Sequence, residues 1–235
     1  ITPSGDVSVR AGANQTFTIT PNRGYAVSDV KIDGRSIGAV RSYTFENISA
    51  SHTIEVQFRV RSSFVDVPSG SYYEDAVVWA VANGITTGTD AAHFSPDGIC
   101  TRAQAVTFLW RAAGRPAPES RTMPFTDVPA DSYYYDAVLW AAEKGITSGT
   151  SATTFSPDAV LTRGQTVTFL WRANGSPVVN YAMNFTDVDG SAYYGEAVRW
   201  AVSEGITAGT GGNNFSPDAP CTRAQIVTFM YRDAK

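Results

Sequence analysis

The strongest constraint on this chain is that it repeats itself. Three stretches align on one another: FVDVPSGSYYEDAVVWAVANGITTGTDAAHFSPDGICTRAQAVTFLWRAAG from Phe64, FTDVPADSYYYDAVLWAAEKGITSGTSATTFSPDAVLTRGQTVTFLWRANG from Phe125, and FTDVDGSAYYGEAVRWAVSEGITAGTGGNNFSPDAPCTRAQIVTFMYRDAK from Phe185. The second begins 61 residues after the first, and the third 60 after the second. A fixed period of this length marks stacked supersecondary units, none of which buries its apolar face alone. Residues 1–60 lie outside the pattern. The 235 residues therefore resolve into a leading module, 1–60, and three units at 63–122, 123–182 and 183–235.

Each unit reads as two helices joined by a loop. In the first, Tyr73, Ala76, Val77, Ala80 and Val81 recur at helical spacing, and Gly84-Ile85 supplies the stop. Gly145-Ile146 and Gly205-Ile206 repeat that stop. A turn built on Phe94-Ser95-Pro96-Asp97 follows, and a second helix opens at Thr101 with Val106, Leu109 and Trp110 on one face. Gly114 and Gly175 end the second helices of the first two units. Helix pairs this short must pack together, so the expected class is mainly α. Residues 1–60 differ. Val7 and Val9, Phe17 and Ile19, Val30 and Ile32, and Ile54, Val56 and Phe58 alternate with polar residues, while Asn22-Arg23-Gly24 and Asp33-Gly34 supply turns. A small all-β module of roughly five strands is expected.

Composition removes several functions. Apolar runs are too short for a membrane-crossing helix of about 20 residues. A net charge of −4 argues against nucleic acid as a partner. Two His and two Cys, with no CxxC or HExxH, leave no basis for a metal or cofactor. The acids Asp66, Asp127 and Asp187, and Asp97, Asp158 and Asp218, recur with the repeat and read as turn and capping residues. No singular pair of acids or nucleophile with a base stands out, so no enzyme is expected. A start at Ile1 without a signal peptide reads as a fragment or processed product.

The pattern F-x-D-V, Y-Y-x-x-A-V, G-I-T-x-G, F-S-P-D, T-R-A-Q closely resembles the S-layer homology repeat, across Phe64 to Lys235. The resemblance implies a pseudo-threefold assembly in which each repeat gives one helix to a central bundle. It further implies grooves between neighbouring repeats that hold secondary cell-wall polysaccharide, often bearing pyruvate ketals. Such a module anchors a surface protein outside the bacterial cell. The first module, with QTFTITPNRGYAVSDVKIDG, resembles the small β repeats of bacterial surface proteins. A second function fits the same resemblance: a protein–protein module that assembles a surface layer or binds other surface proteins.

The family's binding motif, T-R-A-E, stands here as Thr101-Arg102-Ala103-Gln104, Thr162-Arg163-Gly164-Gln165 and Thr222-Arg223-Ala224-Gln225. A capping box accounts for the Thr and for Gln104, Gln165 and Gln225. It does not account for arginine in the first turn, where a cation opposes the helix dipole by ~0.3–1 kcal/mol. Two accounts remain for Arg102, Arg163 and Arg223: an ion pair with Asp66, Asp127 or Asp187, or an anion bound from outside at helix end and guanidinium together. Gly164 replaces alanine in the middle copy and opens space beside Arg163 in the second account. Trp79, Trp140 and Trp200 match as core residues or as platforms for a sugar ring. Gly88, Gly149 and Gly209 serve the chain path or let backbone amides approach a ligand. Cys100 and Cys221 share one repeat position, as buried apolar residues before the helix or as a disulfide joining the first and last units.

Overall fold

A computed structural model describes residues 1–22 and 24–235, so Arg23 of the expected Asn22-Arg23-Gly24 turn lies outside the described residues. The chain divides into Ile1–Ser63 and Phe64–Lys235. Among its described residues the first part holds five antiparallel strands. β1 (Gln15–Thr18) pairs with β4 (Ser42–Phe45). β2 (Tyr25–Ile32) lies between β3 (Arg35–Ser36) and β5 (Ile54–Val60). Asp33 and Gly34 turn β2 into β3 with φ of 50° and 78°, the left-handed pair that a two-residue hairpin requires. Phe17, Ile19, Val30 and Phe45 form its small core. The expected strand at Val7 and Val9 is corrected: those residues join no ladder. The chain meets the edge of β1 earlier, where Thr2 and Thr18 exchange two bonds of 2.8 Å, and has left that edge before Val7.

The second part contains six helices, two per repeat: α1 (Glu74–Ala82) and α2 (Arg102–Ala112), α3 (Tyr135–Glu143) and α4 (Arg163–Ala173), α5 (Gly195–Ser203) and α6 (Arg223–Asp233). Local chemistry sets their ends. Thr101, Thr162 and Thr222 each accept a bond from the amide of the Gln three residues on, and the cap amide in turn donates to the Oε1 of that Gln. The capping box is complete in all three copies. At the end of α1, Gly84 donates to Val81 and Ile85 to Ala80, the paired bonds of a Schellman stop. Gly145 and Gly205 repeat it.

The helices do not pair within their own repeats. α3 packs on α2, α5 on α4, and α1 on α6, so each first helix covers the second helix of the repeat before it. α4 also packs against α2 and α6 at the centre. The last contact, α1 on α6, closes the series into a ring with pseudo-threefold symmetry. A second ring of main-chain bonds ties the repeats together just ahead of their second helices. Cys100 donates to Cys221 at 3.0 Å, Cys221 to Leu161 at 2.8 Å, and Leu161 to Cys100 at 2.9 Å.

The glycines at Gly88, Gly149 and Gly209 are fixed by space as well as by dihedral angle. At Gly149, φ is +82° and an added Cβ would lie 2.4 Å from the Thr154 carbonyl oxygen and 2.6 Å from a Phe125 ring carbon. Gly149→Ala should therefore lower stability by about 2–4 kcal/mol. Urea titration followed by tryptophan fluorescence reads this as a lower midpoint at unchanged slope.

Candidate functional site

Arg102, Arg163 and Arg223 are 4%, 3% and 6% exposed, and each leaves its own repeat. Arg102 donates Nε to the Phe155 carbonyl at 2.9 Å, Arg163 to Phe215 at 3.0 Å and Arg223 to Phe94 at 2.8 Å. Their guanidinium carbons stand 4.8–4.9 Å from the ring centres of those same phenylalanines. A second ring, Phe169, Phe229 or Phe108, lies on the helix that packs alongside. Burial pulls all three below the ordinary arginine pKa, and nearby acids and phenols partly restore it. The ion-pair account is corrected. Asp66 accepts from the amides of Phe94 and Ser95 at 2.9 and 2.7 Å, and Asp127 and Asp187 hold the matching amides. Those carboxylates fix the F-S-P-D turn, whose serines sit in the left-handed region at φ 57–59°. Each arginine then holds the phenylalanine carbonyl of that turn from the repeat before it in the ring.

Beyond these anchors, Arg223 lines a groove. This first groove is a recess of about 210 Å³ lined by Thr86, Gly88, Gln104, Arg111, Tyr133 and Arg223, with Thr87, Thr107 and Phe108. It therefore draws on all three repeats: Thr86 to Arg111 from the first, Tyr133 from the second, Arg223 from the third. Its lining contains no Asp, Glu, Lys or His. Arg223 Nη2 approaches Thr86 Oγ1 at 3.5 Å, and Arg102 Nη2 approaches Thr147 Oγ1 equally at the matching position between the first and second repeats. At the matching position between the second and third repeats, Arg163 Nη2 is buried with no hydrogen-bond partner. A buried donor left unpaired carries a desolvation cost that an incoming acceptor would remove.

Arg111, Arg172 and Arg232 form a second set that the repeat alignment contains but sequence reasoning passed over. They donate Nη1 to the carbonyls of Ile85, Ile146 and Ile206 at 3.0, 3.2 and 3.0 Å. Tyr72, Tyr133 and Tyr193 were missed as well. They are 63%, 62% and 58% exposed, and each meets the next tyrosine edge to face. Partial burial foremost holds these phenols above their ordinary pKa, so they are neutral donors at neutral pH. Their doubling as Y-Y in every copy was the available signal.

The remaining predicted residues fall in place as follows. Gln104 lines the groove, but its Oε1 is engaged by the Thr101 amide. Gln165 and Gln225 accept from Thr162 and Thr222 in the same way. The amides of Gly88, Gly149 and Gly209 donate to Thr86, Thr147 and Thr207 at 3.1 Å, which corrects the idea that they stand open to a ligand. Trp140 and Trp200 are buried, and half-buried Trp79 packs on Tyr231 within the same core. Trp140 and Trp200 thus belong to the core, and Trp79 packs against it. No space opens at Gly164 either, because a Cβ there would stand 3.1 Å from both the Pro217 oxygen and the Tyr194 ring.

Cys100 and Cys221 are free thiols with no exposed surface. The bond expected between first and last units is not made in this structure, and main-chain pairing closes the ring at that point. Burial pushes Cys100 up to about 12, with Cys221 adding to it. Burial likewise raises Cys221 to about 11 against the opposing Thr166 and Arg163. Unfolded thiols ionise near pH 8.5. A folded pKa above the unfolded one stabilises fully below the unfolded value and is lost as pH rises through the folded value. Stability should fall between about pH 9 and 12, and fall less in a Cys100→Ser/Cys221→Ser variant. Denaturation midpoints across that range measure it.

The Ile1–Ser63 part has a wider recess floored by Phe17 and Phe45, with His52 bonded to Asp33 at its rim. No predicted site residue lies there. Among the described residues, no helix is long and apolar enough to cross a membrane.

Comparison with known proteins gives a consistent picture for the repeats. The S-layer homology domain matches residues 63–106, 124–167 and 184–227, more than half of the chain. The chain is 31% identical over 165 residues to the surface-layer 125 kDa protein of Lysinibacillus sphaericus, covering 68% of this chain and 14% of that protein. It is 28% identical over 181 residues to an S-layer protein of Bacillus thuringiensis subsp. finitimus, covering 74% of this chain and 21% of that one. An endoglucanase of Bacillus sp. (strain KSM-635) is 32% identical over 114 residues, 48% of this chain and 12% of the enzyme. The chain thus spans at most about a fifth of the length of these relatives.

Proposed function

Because the chain belongs to the S-layer homology domain family, we propose that it is a non-catalytic anchor that holds a bacterial surface protein to anionic secondary cell-wall polysaccharide. The observation that carries this reading is the first groove. Two arginines from different repeats and one exposed tyrosine converge there, and no acid lines it. A pyruvate ketal bears a single carboxylate, which suits a guanidinium already held through its Nε. The Arg223 Nη2 and Thr86 hydroxyl supply donors at the groove floor, and the Tyr133 ring offers an apolar face to a pyranose. The repeat alignment gives the corresponding sets Arg102, Arg172 and Tyr193, and Arg163, Arg232 and Tyr72, which on this reading form a second and a third groove. With glutamine in place of the family's glutamate, nothing in the lining of the first groove opposes an anion. The endoglucanase similarity lies within the relative's small shared portion and lends this chain no active site.

Binding of purified pyruvylated wall polysaccharide, measured by calorimetry before and after removal of pyruvate, tests the reading. The pyruvylated polymer should bind at least tenfold more tightly than the stripped one, and a Tyr72→Ala/Tyr133→Ala/Tyr193→Ala variant should bind weakly with its melting transition intact. Equal binding of stripped and pyruvylated polymer would sink the anionic reading.

A second reading, surface-layer assembly through protein contacts, has one feature in its favour. Ile99, Val160 and Pro220 are exposed at matched positions beside the main-chain ring around the threefold axis. Light scattering without polysaccharide distinguishes it: reversible self-association lost in Ile99→Ser/Val160→Ser favours assembly.

A further inference from the structure

Next to the lining residue Arg111 stands a second cation, Arg115, that the middle repeat lacks. Arg111 lines the first groove and donates Nη1 to the Ile85 carbonyl at 3.0 Å. Arg115 donates Nη2 to the neighbouring Gly84 carbonyl at 2.9 Å. Two guanidiniums are thus pinned to consecutive carbonyls just past the end of α1. The bond to the carbonyl of the isoleucine after each helix stop accounts for Arg111, Arg172 and Arg232 alike. It does not require a second cation beside the first. The second repeat does without one: Ser176 stands where Arg115 does, with φ of 58° against 57°. Arg111 feels the addition, since burial first and Arg115 second lower its pKa, with only Tyr133 acting the other way. Among the described residues, neither Arg111 nor Arg115 has a carboxylate partner. Like charges held together without a counter-ion cost free energy that an anion between them recovers.

We propose that Arg115 and Arg111 form a second anionic subsite at the mouth of the first groove. It takes the next negatively charged group along a glycan whose first carboxylate lies against Arg223. This rests on the groove reading above and adds a ligand class to it: a polymer with anionic groups on neighbouring units. A single charged terminal sugar would not span both positions. The first groove is in consequence the tightest of the three.

Nature's own control is the middle repeat, so Arg115→Ser writes the second repeat's residue into the first, and Ser176→Arg does the reverse. The probes are pyruvylated wall polysaccharide and a fragment of it carrying one carboxylate, titrated at low and physiological salt. Arg115→Ser should weaken polymer binding about three- to tenfold, flatten its salt dependence and leave the fragment unchanged. Ser176→Arg should strengthen polymer binding and steepen the salt dependence. Wild-type binding with an Arg115→Ser variant of equal affinity and salt dependence overturns the subsite and leaves the groove reading standing. An equal loss for polymer and fragment also overturns it, because Arg115 would then act on the first carboxylate. Failure of the wild type to bind either probe removes both readings together.

Discussion

A chain cut after Gly175, without its third repeat, should bind no wall polysaccharide and should show no cooperative unfolding of its two remaining repeats. The expectation follows from who supplies what. The first groove loses Arg223 and the second loses Tyr193, while the third loses its whole helix wall. The packing loss is as large. α6 no longer covers α1, and α5 no longer covers α4, so two broad apolar faces meet water. Fully burying one such side chain is worth about 1.5–3 kcal/mol, and a domain is stable by only about 5–15 kcal/mol. The loss of either face exceeds what the rest can supply. Circular dichroism melting and calorimetry with pyruvylated polymer check both halves. A truncated chain that melts in one sharp transition and keeps a tenth of the affinity would show that the repeats are independent.

Replacing Arg102 by methionine should lower stability by about 2–4 kcal/mol, or about 5–15 °C in melting temperature. The side chain keeps its volume, so the cost isolates two things: the Phe155 carbonyl left without its donor, and the lost guanidinium contact with Phe155 and Phe169. Arg102→Lys separates charge from geometry. Lysine restores the charge but has neither the Nε donor nor a flat face, and it is more strongly hydrated. It should recover little and can be worse than methionine. If lysine restored wild-type stability, these arginines would act as charges, and the account of them as inter-repeat clamps would fail.

Much of this architecture was legible in the repeats themselves. The Thr and Gln of the capping box, the Gly-Ile stops and the β-module turn at Asp33-Gly34 are local bargains between a side chain and a few neighbouring peptide groups, so spacing alone reveals them. The arginines were not legible in the same way. Arginine at the first helical position is anomalous within its own helix, which invites a ligand as the explanation; the structure answers with a carbonyl in the next repeat. Helical periodicity shows that α1 has an apolar face and says nothing about which helix covers it. Pairing within a repeat and pairing with the repeat before share one hydrophobic pattern. The tryptophans illustrate a related ambiguity, since an aromatic at helical spacing looks the same whether it faces a core or a sugar. The exposed Tyr72, Tyr133 and Tyr193 lie beside buried or half-buried partners in Y-Y pairs, and composition cannot tell which of two adjacent rings turns outward.

The packing of α1 on α6 has one more consequence. In a ring where every seam is built alike, the place at which the polypeptide is interrupted is a matter of connectivity and not of structure. The linker after Arg115 could be opened and the segment from Phe64 joined to Lys235 by a short spacer, leaving the same three grooves in the same cyclic order. Such a permutant would fold to the parent ring, and its first helix would then be α3.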